Sequence, residues 1–568
     1  MATRKTGPFA IRGLMVDLAR QIDRHAFYFD LLDSMARWGL NTLWWHFADD
    51  QGFHLKLDSH PEIASRFAFT KDEMAALLSK AARLGIDIVP EVESLGHARY
   101  ITGLPPYAHL ADGDPTLFNA ICPSHPQTLE LLAEIIREVA SVFPGPWFHA
   151  GLDEVNLGAC PRCRGRSRGK PAWWIYAQHA CAVHRIVSGC GKRMILWADH
   201  VEQQPALLKV LPKDILLAQW QYGDIRRGAF ERSAAAGFQS VGAPALCHWG
   251  DLVHPNAQNF RNMDDMARTV AGMDRRQVFG VVTTWWTGWR GLRDAYLPAV
   301  AYAGRILASG RPVDKNVYEN RLCHVAPPPS AVQLRQQYPL PAQSAPPRAA
   351  EPHGSHTRSK IRAMRAFARD DFGVTTPEVG KALWHLHEWM LQGDRLMALA
   401  WASPQQMHVA AQVAEEPDFA TRQAAIEESL AVLEAAEKKV RRRRDRFHAL
   451  VLAARTDAVG LRNAAAAREL FRLLANAEAR WSRGADLAPN RAAVRKLLAR
   501  RLAEVDRLAR QVGREWDRTR FPDDPTKQVR DADRMPCHWD GLLGKLVRCR
   551  CYLRSLMADM ALLSPSFR

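Results

Sequence analysis

Between residues 11 and 308 short apolar runs alternate with longer stretches whose apolar positions recur every three or four residues; beyond residue 359 only the longer period remains. The short runs begin at Ile11, Asn41, Asp87, Trp147, Arg193, Ile215, Gln239 and Val278. A strand-then-helix rhythm builds parallel sheets, and eight such units over about three hundred residues predict an α/β fold, a (β/α)8 or TIM barrel. A doubly wound open sheet would want a glycine-rich phosphate loop after the first strand, and none is present. Residues 313–358, rich in Pro, Ala and Ser with no sustained period, read as a linker or mobile loop. The resulting division is a barrel over 1–312, that linker, and a C-terminal all-α domain of long antiparallel helices over 359–568.

Polar and aromatic side chains crowd the C-terminal ends of the predicted strands: Asp17, His46, Glu93, Glu154, Asp199, Tyr222 and Trp286. In a barrel that face carries the site.

The chain has 568 residues, 47% of them hydrophobic, and a formal net charge of +17. Such a charge would suit nucleic acid if it were concentrated on a binding module. Its densest run, KKVRRRRDR from Lys438 to Arg446, has no interleaved aromatics and reads as the solvated face of a long helix, so no nucleic-acid partner is expected. No apolar run reaches membrane-spanning length and MATRKTGPFAIRG lacks a secretory apolar core, so no membrane partner is expected either. The expected compartment is cytoplasmic, and ten scattered cysteines suit reducing conditions. Cys160 and Cys163 have zinc-like C-x2-C spacing, but a structural zinc needs four ligands and no second such pair lies in the barrel. Cys181, His184 and Cys190 are the candidate partners; the expectation is reduced thiols packing a loop, with no metal and no cofactor.

The stretch WFHAGLDEV, Trp147 to Val155, places Asp153 and Glu154 side by side at a strand's end. In mid-strand they would face opposite ways; where the chain turns, both reach one pocket. Adjacent carboxylates are poorly placed to flank a sugar ring from opposite faces. They do suit substrate assistance, in which a 2-acetamido group is the nucleophile and the protein supplies one acid and one carboxylate that orients the amide. Mutual repulsion should raise the pKa of the less solvated member of the pair and keep a general acid protonated near neutral pH.

These residues resemble glycoside hydrolase family 20, the β-N-acetylhexosaminidases. HAGLDEV is similar to the family's H-x-G-x-D-E signature, RGLMVDLAR to its opening strand, LNTLWWHFADDQGF to its second and PEVESLGHA to its third. Leu152 in place of a second signature glycine, no preceding α+β domain and a helical domain behind the barrel look most like the hexosaminidase D-type branch. The resemblance implies an exo-acting, retaining, substrate-assisted glycosidase on terminal 2-acetamido-2-deoxy-β-hexosides. It makes Glu154 the general acid/base and Asp153 the partner of the acetamide N–H. It also makes Arg12 the arginine that binds sugar hydroxyls, His97 with Asp49 or Asp50 a supporting pair, and Trp197, Trp220 and Trp286 the acetamide pocket walls. His149, Asp199 and Tyr222 complete the expected substrate-binding set.

Two departures stand out. VGAPALCHWG lacks the tyrosine that larger branches place near strand seven, leaving Tyr222 or Trp249 for its role, and TTWWTGW lacks their acidic residue. Alternatives are a barrel that binds carbohydrate without turning it over, and a glycosidase with an enzyme nucleophile such as Glu93. The expected partner is a carbohydrate substrate, with a homodimer possible.

Overall fold

Branched and aromatic runs such as TLWWHFAD and VFGVVTTW favour extended backbone, and in the computed structural model every one of the eight runs is a strand. The structure describes residues 9–20, 22–114, 120–171, 173–247, 253–286, 291–310, 355–389, 400–521 and 541–562. The strands are β1 (Ile11–Asp17), β2 (Thr42–Asp49), β3 (Gly52–Phe53), β4 (Asp87–Val92), β5 (Trp147–His149), β6 (Arg193–Trp197), β7 (Leu216–Trp220), β8 (Gln239–Ala243), β9 (Ala245–Cys247) and β10 (Val278–Trp285). Parallel pairing runs β1, β2, β4, β5, β6, β7, β8, β10, and β10 pairs back onto β1 to close the barrel. The short β3 folds back antiparallel on β2, and β9 follows β8 along β10.

Period-two alternation fixes what fills the lumen. Met15, Trp44, Val89, Ile195, Trp197, Leu216, Ala218, Val241, Ala243 and Val282 form one buried cluster there. Trp44 and Trp197 are its two largest members, their ring centroids 5.5 Å apart. Carried toward the strands' C-terminal ends, the same parity brings Asp17, His46, Glu91, Glu93, Asp199, Trp220, Tyr222 and Thr284 to one mouth. Between strands, helices are fixed by ordinary end signals. Lys71–Leu84, for example, opens on a Thr70–Glu73 capping box and ends at Gly85, whose φ of 69° suits glycine.

The expected 313–358 segment lies outside the described residues as far as 354, and the helix Ser355–Phe372 begins within its last positions. The C-terminal helices pack on the barrel's helical shell. Lys360 and Asp264 pair at 2.9 Å, both essentially without solvent contact. Asp371 accepts from Arg37, Arg443 and the Trp38 indole. His254 meets Asp457 at 2.7 Å. Phe521 N–H donates to Ile22 O and Arg24 N–H to Thr519 O, so the helical domain braces the segment just after β1.

One expectation fails here. The basic run is not a helix face: the helix Phe419–Glu437 ends before it and Arg444–Trp481 begins near its end, with Arg443 at φ 50° between them. Arg441 to Arg444 are all exposed, so the run is solvated as expected but sits at a junction between helices, and two of its arginines also act as clasps, Arg443 on Asp371 and Arg446 on Asp30 of the barrel. Among the described residues no helix is long and apolar enough to cross a membrane.

Candidate active site

β5 stops after three residues because the chain turns sharply behind it. Gly151 has φ 69°, and a Cβ there would stand 1.9 Å from Glu93 Oε2, so only glycine fits. Leu152 and Glu154 follow with φ of 74° and 47°, and His97 opposite them has φ 48°. Among the described non-glycine residues only Arg443 shares such a conformation elsewhere. Strain of about 1–3 kcal/mol per residue is thus gathered around Asp153. The turn is held by Leu152 N–H donating to Glu93 Oε2 at 3.2 Å and by the Tyr176 hydroxyl donating to Leu152 O at 3.1 Å.

The turn gives the adjacent carboxyls different surroundings. Asp153 is 8% exposed and its Oδ1 has no hydrogen-bond partner among the described residues. Burial, with the nearby charges of Asp199, Glu154 and Glu91, pushes its pKa up to about 7 against the pull of His97. Glu154 has a 57% exposed side chain, Oε2 at 3.4 Å from His97 Nε2, and a backbone N–H that donates to Asp199 Oδ2 at 3.0 Å. The His97 contact lowers its pKa, outweighing partial burial. The less solvated member is therefore Asp153, and in the free protein the raised carboxyl is Asp153 rather than Glu154.

A charge network supports the pair. His97 Nδ1 lies 3.3 Å from Asp49 Oδ1 and 3.4 Å from Asp50 Oδ2, so the expected supporting pair is a triad. Burial opposes a charge on His97, but Asp49, Asp50 and Glu154 together raise its pKa well above the usual range. His46 Nε2 meets Asp49 Oδ2 at 2.9 Å and its Nδ1 meets Glu91 Oε1 at 3.1 Å. These carboxylates outweigh burial and hold His46 up at about 10. Glu91 also accepts from Trp197 Nε1 at 2.8 Å. Several of these groups stand close enough together to ligate a metal, yet Arg20, His46 and His97 already supply their positive charge.

The arginine at this mouth is not the expected Arg12. Arg12 sits at the opposite, N-terminal end of β1, where its guanidinium donates to Gly39 O and Phe9 O, both at 2.8 Å. Its position is one out of phase with the inward-facing Met15 and Asp17, so it cannot reach the mouth. The site arginine is Arg20, in the turn after β1. It contacts Asp17 and Asp49 at 2.8 Å each, and its guanidinium lies 5.5 Å from the ring centroid of Trp286. Glu91, the hub between two histidines and an indole, was also missed.

The aromatic set divides. Trp220 and Trp286 are half-buried and converge on Tyr222: Trp220 lies 5.0 Å from the Tyr222 ring, and Trp286 Nε1 donates to the Tyr222 hydroxyl. Burial raises the Tyr222 pKa, and the charges of Asp153 and Glu154 add to it, so its hydroxyl stays protonated near the pair. Trp197 has no exposed surface and is a floor rather than a wall. His149 is also fully buried, 4.9 Å from the Trp44 ring and 4.6 Å from that of Trp197, with its pKa driven down to about 4 by burial. It props the floor and offers no surface to a ligand. Glu93 is buried under the Gly151 turn, and burial with the Asp153 charge beside it raises its pKa well above the carboxylate range. Trp249 and the residues just after Trp286 lie outside the described residues.

Comparison with known proteins gives one consistent result. Residues 9–290 match the model of the glycosyl hydrolase family 20 catalytic domain. A β-hexosaminidase of Vibrio furnissii is 25% identical over 298 residues, 45% of this chain and 46% of that protein. A β-hexosaminidase of Akkermansia muciniphila is 30% identical over 179 residues, 27% of this chain and 36% of that protein. The chain spans about half the length, or less, of the curated relatives it matches.

Proposed function

The barrel belongs to glycosyl hydrolase family 20, and from the geometry of its mouth we propose that the protein is an exo-acting β-N-acetylhexosaminidase that works with retention through its substrate's own acetamide. The observation that carries this reading is the division of environments between neighbours. Asp153 is buried with a vacant oxygen, and Glu154 stands at the open edge.

In this reading the acetamide enters the aromatic pocket, and its N–H donates to Asp153 Oδ1 while the Tyr222 hydroxyl reaches its oxygen. That oxygen attacks the anomeric carbon as the bond to the leaving oxygen breaks, and Glu154 delivers a proton to the departing group. Asp153 then balances the positive charge of the oxazolinium, in a dry setting where such charge matching is strongest. Water, deprotonated by Glu154, opens the ring on the same face. Arg20 offers planar donors to the sugar's hydroxyls, as Arg12 cannot.

The free-state protonation fits this scheme. Between the titrations of Glu154 and Asp153 the two carboxyls hold one proton, which sits mainly on Asp153. An acetamide N–H requires Asp153 as carboxylate, so binding moves the proton to Glu154, where the chemistry needs it. The buried, neutral Glu93 is ill suited to act as an enzyme nucleophile.

The test is a panel of aryl β-glycosides with and without the 2-acetamido group. Cleavage of the N-acetylglucosaminide or N-acetylgalactosaminide with retention, and not of the matching glucoside, is the expected result. Equal rates on 2-hydroxy and 2-acetamido substrates would remove the proposal.

A further inference from the structure

The loop that leaves the catalytic turn carries a second chemical cluster. Cys160 and Cys163, the C-x2-C pair, converge with Cys122, which lies between β4 and the helix Pro126–Val142. Cys122 Sγ is 3.4 Å from Cys160 Sγ and 3.5 Å from Cys163 Sγ. The expected partners are elsewhere: His184 is bonded to Asp214 and the Cys181 thiol to Val210 O. The fourth member is Asp112, fully buried, with a carboxylate oxygen grouped with all three sulfurs inside 4.8 Å.

We propose that Cys122, Cys160, Cys163 and Asp112 form a closed structural site for a zinc ion.

Geometry is the first argument. Tetrahedral zinc with bonds of about 2.3 Å sets its sulfur ligands about 3.8 Å from one another. Cys122 Sγ already stands within a few tenths of that spacing from both other sulfurs, far beyond the bonding distance of about 2.05 Å of a disulfide. The surroundings are the second. Cys163 N–H donates to Cys160 Sγ at 3.3 Å, a bond that favours sulfur carrying negative charge. Asp112 is fixed by N–H donors from Gly158 at 2.8 Å and Cys160 at 3.0 Å, which leaves each of its oxygens a further lone pair. Thiols packing as small hydrophobes would gain nothing from a buried carboxylate among them. Arg164 and Arg166, tied to Gly158 O and Pro123 O, stand on the short helix Pro161–Arg166 that carries Cys163 and offset the anionic ligand set.

Binding would release the three thiol protons to solvent and form four metal–ligand bonds. With all four ligands from the protein, no position remains for substrate, so the ion would pin the loop behind Asp153 and Glu154 to the loop after β4 without entering the reaction.

The full chain should be purified without chelators or immobilised metal and its zinc measured by mass spectrometry, with release followed by a chromogenic indicator during mercurial titration. About one zinc per chain is expected, and cobalt substituted for it should give thiolate charge-transfer and tetrahedral d–d absorption bands. Cys122→Ser and Cys160→Ser should each abolish stoichiometric binding, and Asp112→Asn should weaken it about tenfold or more. Because these variants can fail to fold, thiol accessibility in the unaltered chain is the second readout: three thiols should become reactive only as zinc leaves. A zinc-free chain whose three thiols react freely, or one in which any two of them are joined as a disulfide, would overturn the proposal.

Discussion

Asp153 and Glu154 are neighbours in the chain, yet Asp153 is 8% exposed with a pKa near 7, whereas Glu154 has a 57% exposed side chain and a depressed pKa. The left-handed turn at Gly151 and Leu152 creates this inequality, and the proposed chemistry depends on it.

The first expected outcome concerns pH. If the pair must hold one proton, kcat/KM should rise through the lower, Glu154-dominated step and fall through the step near 7. In Glu154→Gln, assayed with an activated aryl substrate that needs no acid, only ionised Asp153 is required. Its profile should therefore rise through the Asp153 titration and stay level above it. A falling limb retained in that variant would assign the upper titration to another group.

Stability offers a second check on Asp153. Its folded pKa is raised, so its contribution to stability is complete below the unfolded pKa and is lost as pH rises through about 7. Asp153→Asn removes that loss. Relative to the parent, the variant should gain stability between pH 4 and pH 8, by up to about 4 kcal/mol at 1.36 kcal/mol per unit. Equal melting-temperature shifts at both pH values would mean that the aspartate is not held neutral.

The two arginines separate site from scaffold. Arg20→Ala should cut kcat/KM by about a hundredfold or more, since charged recognition of the substrate and the anchoring of Asp49 are lost together. Arg12→Ala should instead lower stability by about 1–3 kcal/mol and leave KM unchanged, because its partners are carbonyls at the far end of the barrel. A raised KM in Arg12→Ala would return that residue to the site.

Much of this was legible in the sequence. All eight strands could be read from apolar runs because barrel strands are buried on both faces, and the carboxylate pair was visible from adjacency alone. Parity along RGLMVDLAR would have excluded Arg12, since Met15 and Asp17 face inward. Arg20 lies beyond the strand, where no period applies and only the fold of the turn places it. Glu91 shares the inward parity of Val89 and Glu93 and could have been found the same way. The pairing of Cys122 with Cys160 could not, because two loops distant in sequence meet only once the barrel closes. The basic run misled because an unbroken helical composition hides a break made by tertiary contacts.

The domains are joined by charge as well as by apolar packing. Lys360→Ala would leave Asp264 buried without its 2.9 Å partner, which costs about 3–5 kcal/mol. Urea denaturation should register that loss as a lower midpoint, with the strands' far-ultraviolet signal intact before the transition. An unchanged midpoint would show that the pair does not hold the helical domain to the barrel.

The most direct measurement of the central claim varies the proposed nucleophile itself. Aryl β-glycosides carrying N-acetyl, N-fluoroacetyl, N-difluoroacetyl and N-trifluoroacetyl groups progressively weaken the amide oxygen while barely altering the sugar's shape. If that oxygen attacks the anomeric carbon beside Asp153, kcat should fall steeply and continuously along the series. A flat series would contradict the account, because a nucleophile supplied by the protein or by water would not feel the fluorines.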